Sequence, residues 1–144
     1  MTEQTPKEQC EYLMREVLPL AKRMLSECAE FFPYGGVINT DGSLTHVGAK
    51  EEGTDRPGSK ILIEILTQNF QESALCGRIR ASAIICDVLI QPPGASKKVD
   101  AVQANLDHLD GYSVRVFFPY TIINGTLLFE KPFAQEGDHL IFKR

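Results

Sequence analysis

The sequence predicts an α+β fold, an antiparallel β-sheet of about five strands with two main α-helices, and three observations carry that prediction. A helical stripe of apolar residues runs from Cys10 to Cys28, and a second, shorter stripe from Leu62 to Phe70. The remainder divides into short apolar or alternating segments, several of them separated by the turn pairs Asp41-Gly42, Asp110-Gly111, Asn124-Gly125 and Glu136-Gly137. A period of three to four residues therefore alternates with a period of two, in the order α-β-β-α-β-β-β. The 144 residues are read as one domain spanning 1–144.

Thr5 opens the first helix. Pro6 stands at the first helical position and Glu8 three residues after Thr5, the arrangement of a capping box. Cys10, Leu13, Met14, Val17, Leu18, Ala21, Met24, Leu25 and Cys28 then recur at helical spacing. Pro19 removes a backbone donor inside this stripe, so a kink or a split is expected there, and Pro33 places the end near Phe31. Tyr34 to Asn39 and Ser43 to Gly48 flank Asp41-Gly42 as a hairpin, and residues 49–58 form a polar loop. The second helix is expected from Gly58 to Leu75, with Leu62, Ile65, Leu66 and Phe70 as its apolar stripe and Gly77 as its left-handed cap.

Residues 78–90 read as a long strand ended by Pro92-Pro93-Gly94. In the next hairpin, Val102, Ala104, Leu106 and His108 alternate along one strand and Tyr112, Val114, Val116 and Phe118 along the other. These sets share a face only if His108 pairs with Tyr112, which requires a three-residue loop, Leu109-Asp110-Gly111, with Gly111 at positive φ. That register also sets Asn105 opposite Arg115, with Asp107 diagonally near. Leu127 to Phe129 and His139 to Phe142 are expected as short final strands. The order of elements resembles the profilin/roadblock-type arrangement found in many small binding modules. Phe31-Phe32-Pro33-Tyr34 ahead of the first hairpin resembles small bacterial proteins with an aromatic-proline segment at that place.

Several function classes lose support at once. Net charge is −4 and the longest basic run is Lys97-Lys98, so no stripe exists to neutralise phosphates, and neither a nucleic acid nor a membrane is expected as partner. The N-terminal residues Met1 to Pro6 are polar and carry no signal-peptide pattern, and a cytoplasmic location is expected. The four cysteines, Cys10, Cys28, Cys76 and Cys86, form no CxxC pair and read as reduced thiols, unsuited to nucleophilic catalysis by their apolar or helix-end settings. Gly94-Ala95-Ser96-Lys97-Lys98 lacks the second glycine of a phosphate loop, and Gly35-Gly36 lacks the rest of a dinucleotide fingerprint. His46, His108 and His139 show no metal-ligand spacing, so neither metal nor cofactor is implied.

Three polar residues remain as ligand-binding candidates, Asp87, His108 and Tyr120. Asp87 interrupts the apolar run Ile84 to Ile90, where an unpaired charge is costly unless it lies in a site or at a solvent-open position. His108 ends an apolar strand face beside Asp107 and Asp110, and reads either as a base oriented by a carboxylate or as a half-buried histidine satisfied at a turn.

Along residues 78–90, Ile79, Ala81, Ala83 and Ile85 make one apolar face; from Ile84 onward the opposite face, with Cys86, Val88 and Ile90, turns apolar too. Strands apolar on both sides are buried on both sides. With both helices mainly on one face, the other needs a cover, and twofold self-association is the commonest one; a bulge near Ile84 is the rival explanation. The expectation is therefore a non-catalytic interaction or regulatory module, a homodimer with a further protein partner left open. The alternatives are a small-molecule binder or enzyme with a pocket between helix and sheet, built on Asp87, His108 and Tyr120, and a protective partner such as an immunity protein or secretion chaperone.

Overall fold

A computed structural model describes residues 4–54 and 58–142. Helix α1 spans Pro6–Cys28, strands β1 and β2 span Tyr34–Asn39 and Leu44–Val47, and helix α2 spans Ser59–Leu75. Strands β3 (Ile79–Ile90), β4 (Val99–His108), β5 (Ser113–Ile123), β6 (Thr126–Phe129) and β7 (Phe133–Glu136) follow. The α+β class stands. The sheet, however, has seven strands rather than about five, all antiparallel, in the order β2-β1-β3-β4-β5-β6 with β7 also on β5. β5 is long enough to take two partners along one edge, β7 against Val114 to Phe117 and β6 against Tyr120 to Ile123. The strand expected at His139 to Phe142 is instead an irregular segment, because β7 forms earlier, at Phe133–Glu136.

The capping box forms as read, with Thr5 Oγ1 accepting from the Glu8 amide at 3.1 Å and Glu8 Oε1 from the Thr5 amide at 3.3 Å. α1 does not split at Pro19 and ends at Cys28, with Ala29 left-handed at φ 60°. Arg15, Glu16 and Pro19 all lie on the solvent side, where the carbonyl that the proline leaves unpaired faces water. On the buried side the Tyr34 hydroxyl donates to the Val17 carbonyl at 2.5 Å and accepts from the Ala21 amide at 3.0 Å, bridging the two groups that an undisturbed helix bonds directly. α2 ends in a Schellman arrangement, with the Gly77 amide on Ala74 O, the Arg78 amide on Ser73 O, and Gly77 at φ 68°.

The two helices pack on opposite faces of the sheet, not mainly on one. α1 covers Ile38, Ala81, Ala83, Ile85, Val102, Ala104 and Leu106 with Cys10, Leu13, Val17, Ala21 and Leu25, a dry core. α2 covers Val37, Ile79 and Ile84 with Leu66 and Phe70, joined by Ile141 and Phe142 from the chain end. Ile65, expected in the α2 stripe, is instead exposed. Ile84 and Cys86 do lie on the second face, and no bulge occurs there: β3 pairs with β4 in unbroken register from Ala81 to Ile90. The irregularity is at the other end, where Ile38 pairs with Ala81 but Asn39 with Ile79. The extra residue swings Ile79 to the α2 side, away from the face it was expected to share with Ala81.

Both helices approach β1 at consecutive glycines. A Cβ on Gly35 would lie 2.4 Å from the Ala83 carbonyl oxygen and 2.9 Å from the Phe70 ring, and one on Gly36 would lie 2.5 Å from Val17 Cγ1. The Gly35-Gly36 pair is thus explained by close packing from two sides.

Candidate functional site

The β4–β5 hairpin forms as its pattern demands. The His108 amide donates to Tyr112 O at 2.8 Å, and Gly111 closes the loop at φ 94°. This register puts the apolar residues of both strands on the α1 side and leaves polar residues on the α2 side. There Asn105 stands opposite Arg115 and Asp107 opposite Ser113. α2 reaches these rungs only at its margin, through Ile63 and Thr67, and the irregular segment from Gly137 to Phe142 crosses over the rest. The Gly137 amide donates to Ser113 O at 3.1 Å, the His139 amide to Ser113 Oγ at 3.1 Å, and Gln71 Nε2 to Leu140 O at 2.7 Å. Burial of Ile141 and Phe142 anchors the end. A Cβ at Gly137 would lie 2.1 Å from Ser113 Oγ, so this crossing requires glycine.

Beneath the strap lies a cavity of about 160 Å³ between α2 and the sheet. Ile63, Ile84, Leu140 and Ile141 form its apolar wall, and Gln103, Asn105, Asp107, Ser113 and Arg115 its polar one. Asp107 is buried and accepts from Ser113 Oγ at 2.8 Å. Burial pushes its carboxyl above the ordinary value of 3.8; the Ser113 hydrogen bond and His139 oppose that shift, and Asp138 adds to it. Arg115 Nη2 donates to Glu136 O at 3.1 Å and Nη1 lies 3.5 Å from Asp138, while its buried Nε has no hydrogen-bond partner. Ser82 Oγ, on the strand position paired with Asp107, is likewise buried without a partner.

Asp107, Ser113 and His139 meet here without forming a catalytic triad. The Ser113 hydroxyl gives its proton to the aspartate and receives the backbone amide of His139, so no imidazole is placed to withdraw that proton.

The three residues singled out from the sequence lie on the α1 side. The structure brings two of them together: Tyr120 Oη lies 2.8 and 2.9 Å from the two oxygens of Asp87. Asp87 is at a solvent-open position in the outer part of β3. Burial against Tyr120 raises its carboxyl, the tyrosine hydrogen bond opposes this, and Asp100 adds to it. The Tyr120 hydroxyl is raised as well, by burial first and then by Asp87. His108 is elsewhere. It pairs with Ala81, six residues from Asp87 along β3, or about 20 Å.

His108 forms part of the wall of an open cleft of about 790 Å³ beside the start of α1, with Gln9, Tyr12, Thr40 and Arg80. Its Nδ1 accepts from the Asp110 amide at 3.0 Å, which leaves the ring proton on Nε2, 2.8 Å from Gln9 Oε1. Burial holds this imidazole below the usual 6.5. With both nitrogens engaged, the ring is a neutral tie between α1 and the hairpin. Among the described residues no group of three or more His, Cys, Asp or Glu is positioned to hold a metal ion.

Asn105, Arg115 and Asp107 are legible in the sequence as neighbours but not as a site. The available signal is the polar alternation Gln103, Asn105, Asp107 facing Ser113 and Arg115; the covering strap gives none, since His139 to Phe142 reads as a short final strand. No protein-family model, curated protein or solved structure matches the chain. No helix among the described residues is long and apolar enough to cross a membrane.

Proposed function

We propose that the protein is a non-catalytic interaction module that self-associates through the α1 side of β5. One observation carries this reading. α1 packs over β1, β3 and β4 and leaves the apolar row Tyr112, Val114, Val116 and Phe118 half-buried beside it. In this reading the surplus apolar surface is not where the sequence pattern suggests. It is the outer flank of the α1 face rather than the face opposite the helices. Exposed Phe129 on β6, paired with Tyr120, lies at the same margin, and a row of this kind is what twofold contacts cover in soluble oligomers.

Light scattering on the eluting peak of a sizing column tests it. At about 50 µM, where a dimer of micromolar affinity persists, the mass is expected to be twice that of the chain. Val116→Glu is expected to return it to one chain with an unchanged far-UV spectrum. A wild-type monomer at that concentration ends this reading.

A further inference from the structure

We propose that the cavity under the C-terminal strap binds a small aliphatic α-amino acid, its ammonium group at Asp107 and its carboxylate at Arg115. This site is on the opposite side of the sheet from the β5 row and stands independently of it.

The cavity holds one buried donor without a partner and one buried carboxylate whose side-chain hydrogen bond comes from a neutral hydroxyl. Arg115 Nε is a buried donor without a partner, an arrangement that costs free energy unless something accepts from it. Asp107 is buried and takes its hydrogen bond from a neutral hydroxyl rather than from a cation. Burial holds this carboxyl above its usual range, and the Ser113 hydrogen bond and His139 only oppose that shift. Arg115 and Asp107 do not pair with each other. The ion pair of Arg115 is with Asp138, at 3.5 Å. The register explains why: Asp107 faces Ser113 and Asn105 faces Arg115, so the two are diagonal neighbours, about 7 Å apart at the backbone.

A gap of that size between a fixed anion and a fixed cation is bridged by a molecule whose own opposite charges are two bonds apart. A monoanion satisfies Arg115 and meets the repulsion of Asp107 and Asp138; a monocation satisfies Asp107 and leaves Nε bare. The zwitterion satisfies both. Volume and lining limit the rest of the ligand. About 160 Å³ holds roughly five waters, or a molecule of about six to eight non-hydrogen atoms. Ile63, Leu140 and Ile141 above the sheet and Ile84 beside Asn105 suit a short aliphatic side chain, and Thr67 on the same wall already gives its hydroxyl proton to the Ile63 carbonyl at 2.7 Å.

Titration of the full chain with alanine and valine, followed through the amide resonances of Asn105, Asp107 and Arg115, tests the proposal. Saturable shifts are expected for both. Valinamide, which lacks the carboxylate, and isovalerate, which lacks the ammonium group, are each expected to bind at least about tenfold more weakly. Arg115→Gln is expected to lose valine binding by a similar factor. Because Arg115 also ties down the strap, Asp107→Asn provides the second variant; it keeps the shape of the site and is expected to narrow the gap between valine and isovalerate. Absence of saturable shifts up to about 10 mM, above the millimolar range of weak specific binding, overturns the assignment. So does equal binding of valine and either singly charged analogue.

Discussion

On the α1 side of the sheet, Ala81, Ala83 and Ile85 lie directly under one helix, and the polar groups present are tied: Tyr34 to the α1 backbone, His108 to Gln9. On the α2 side a shorter helix covers half the sheet, a strap covers the rest, and Ser82 and Arg115 hold buried polar atoms without partners. The two faces belong to the same strands and differ only in which residues the alternation sends to each. A long amphipathic helix makes a dry face that satisfies its polar groups internally. A face closed by an irregular segment retains a polar cavity, and unmet hydrogen-bonding capacity collects there.

Gly35 and Gly36 probe that contrast most severely, because one faces each helix. Gly35→Ala puts a methyl group against a backbone carbonyl and the Phe70 ring, neither of which can move aside locally, and is expected to cost about 3 kcal/mol. Gly36→Ala meets a γ-methyl of buried Val17 and, at the looser distance of 3.3 Å, the Thr45 carbonyl oxygen, and is expected to cost about half as much. Denaturant unfolding of both variants measures the difference; equal losses would show that the two helices hold β1 alike.

Tyr34→Phe tests the claim that the α1 face satisfies its own polar groups. It leaves the Val17 carbonyl and Ala21 amide to re-form a direct bond next to Pro19, and a loss of about 2 kcal/mol is expected from the same measurement. A neutral result would mean that the helix closes without the hydroxyl. Burial pushes this phenol up to about 12, so the bridge persists throughout the physiological range.

The smallest effect is one of pH, and it has opposite signs on the two faces. The native His108 imidazole titrates below 6.5, so the unfolded chain takes up the proton first. Its stabilising contribution is complete above 6.5 and is lost as pH falls through that value toward the lower native one. The native Asp107 carboxyl titrates above 3.8 and takes its proton before the unfolded one. The cost of burying its charge is therefore present in full at neutral pH and is relieved on acidification toward 3.8. Thermal midpoints are expected to fall just below pH 6.5 in the wild type and to stay flatter in His108→Gln. Asp107→Asn is expected to raise the midpoint at pH 7. An unchanged slope in His108→Gln would place the sensitivity elsewhere.

Much of the local structure was legible because it depends on neighbours in the chain. Thr5, Pro6 and Glu8 specify the start of α1, and Gly77 the left-handed end of α2. The alternation of two apolar sets specifies the three-residue loop at Gly111. The polar row at Asn105, Asp107 and Arg115 was legible as a set of neighbours, but its burial was not. Asp87 and Tyr120 were singled out separately, and only pairing across β3, β4 and β5 places the hydroxyl on the carboxylate.

The amino-acid pattern by itself determined the class of fold, the boundaries of the elements from α1 to β6 to within a few residues, and the register of the β4–β5 hairpin, because caps, turns and alternation act over fewer than a dozen residues. Tertiary structure alone decided that the helices take opposite faces, that Ile79 crosses to the second of them, and that a tail becomes the roof of a cavity. Those outcomes depend on which surfaces remain uncovered after the sheet has assembled, a quantity that no stretch of neighbouring residues carries.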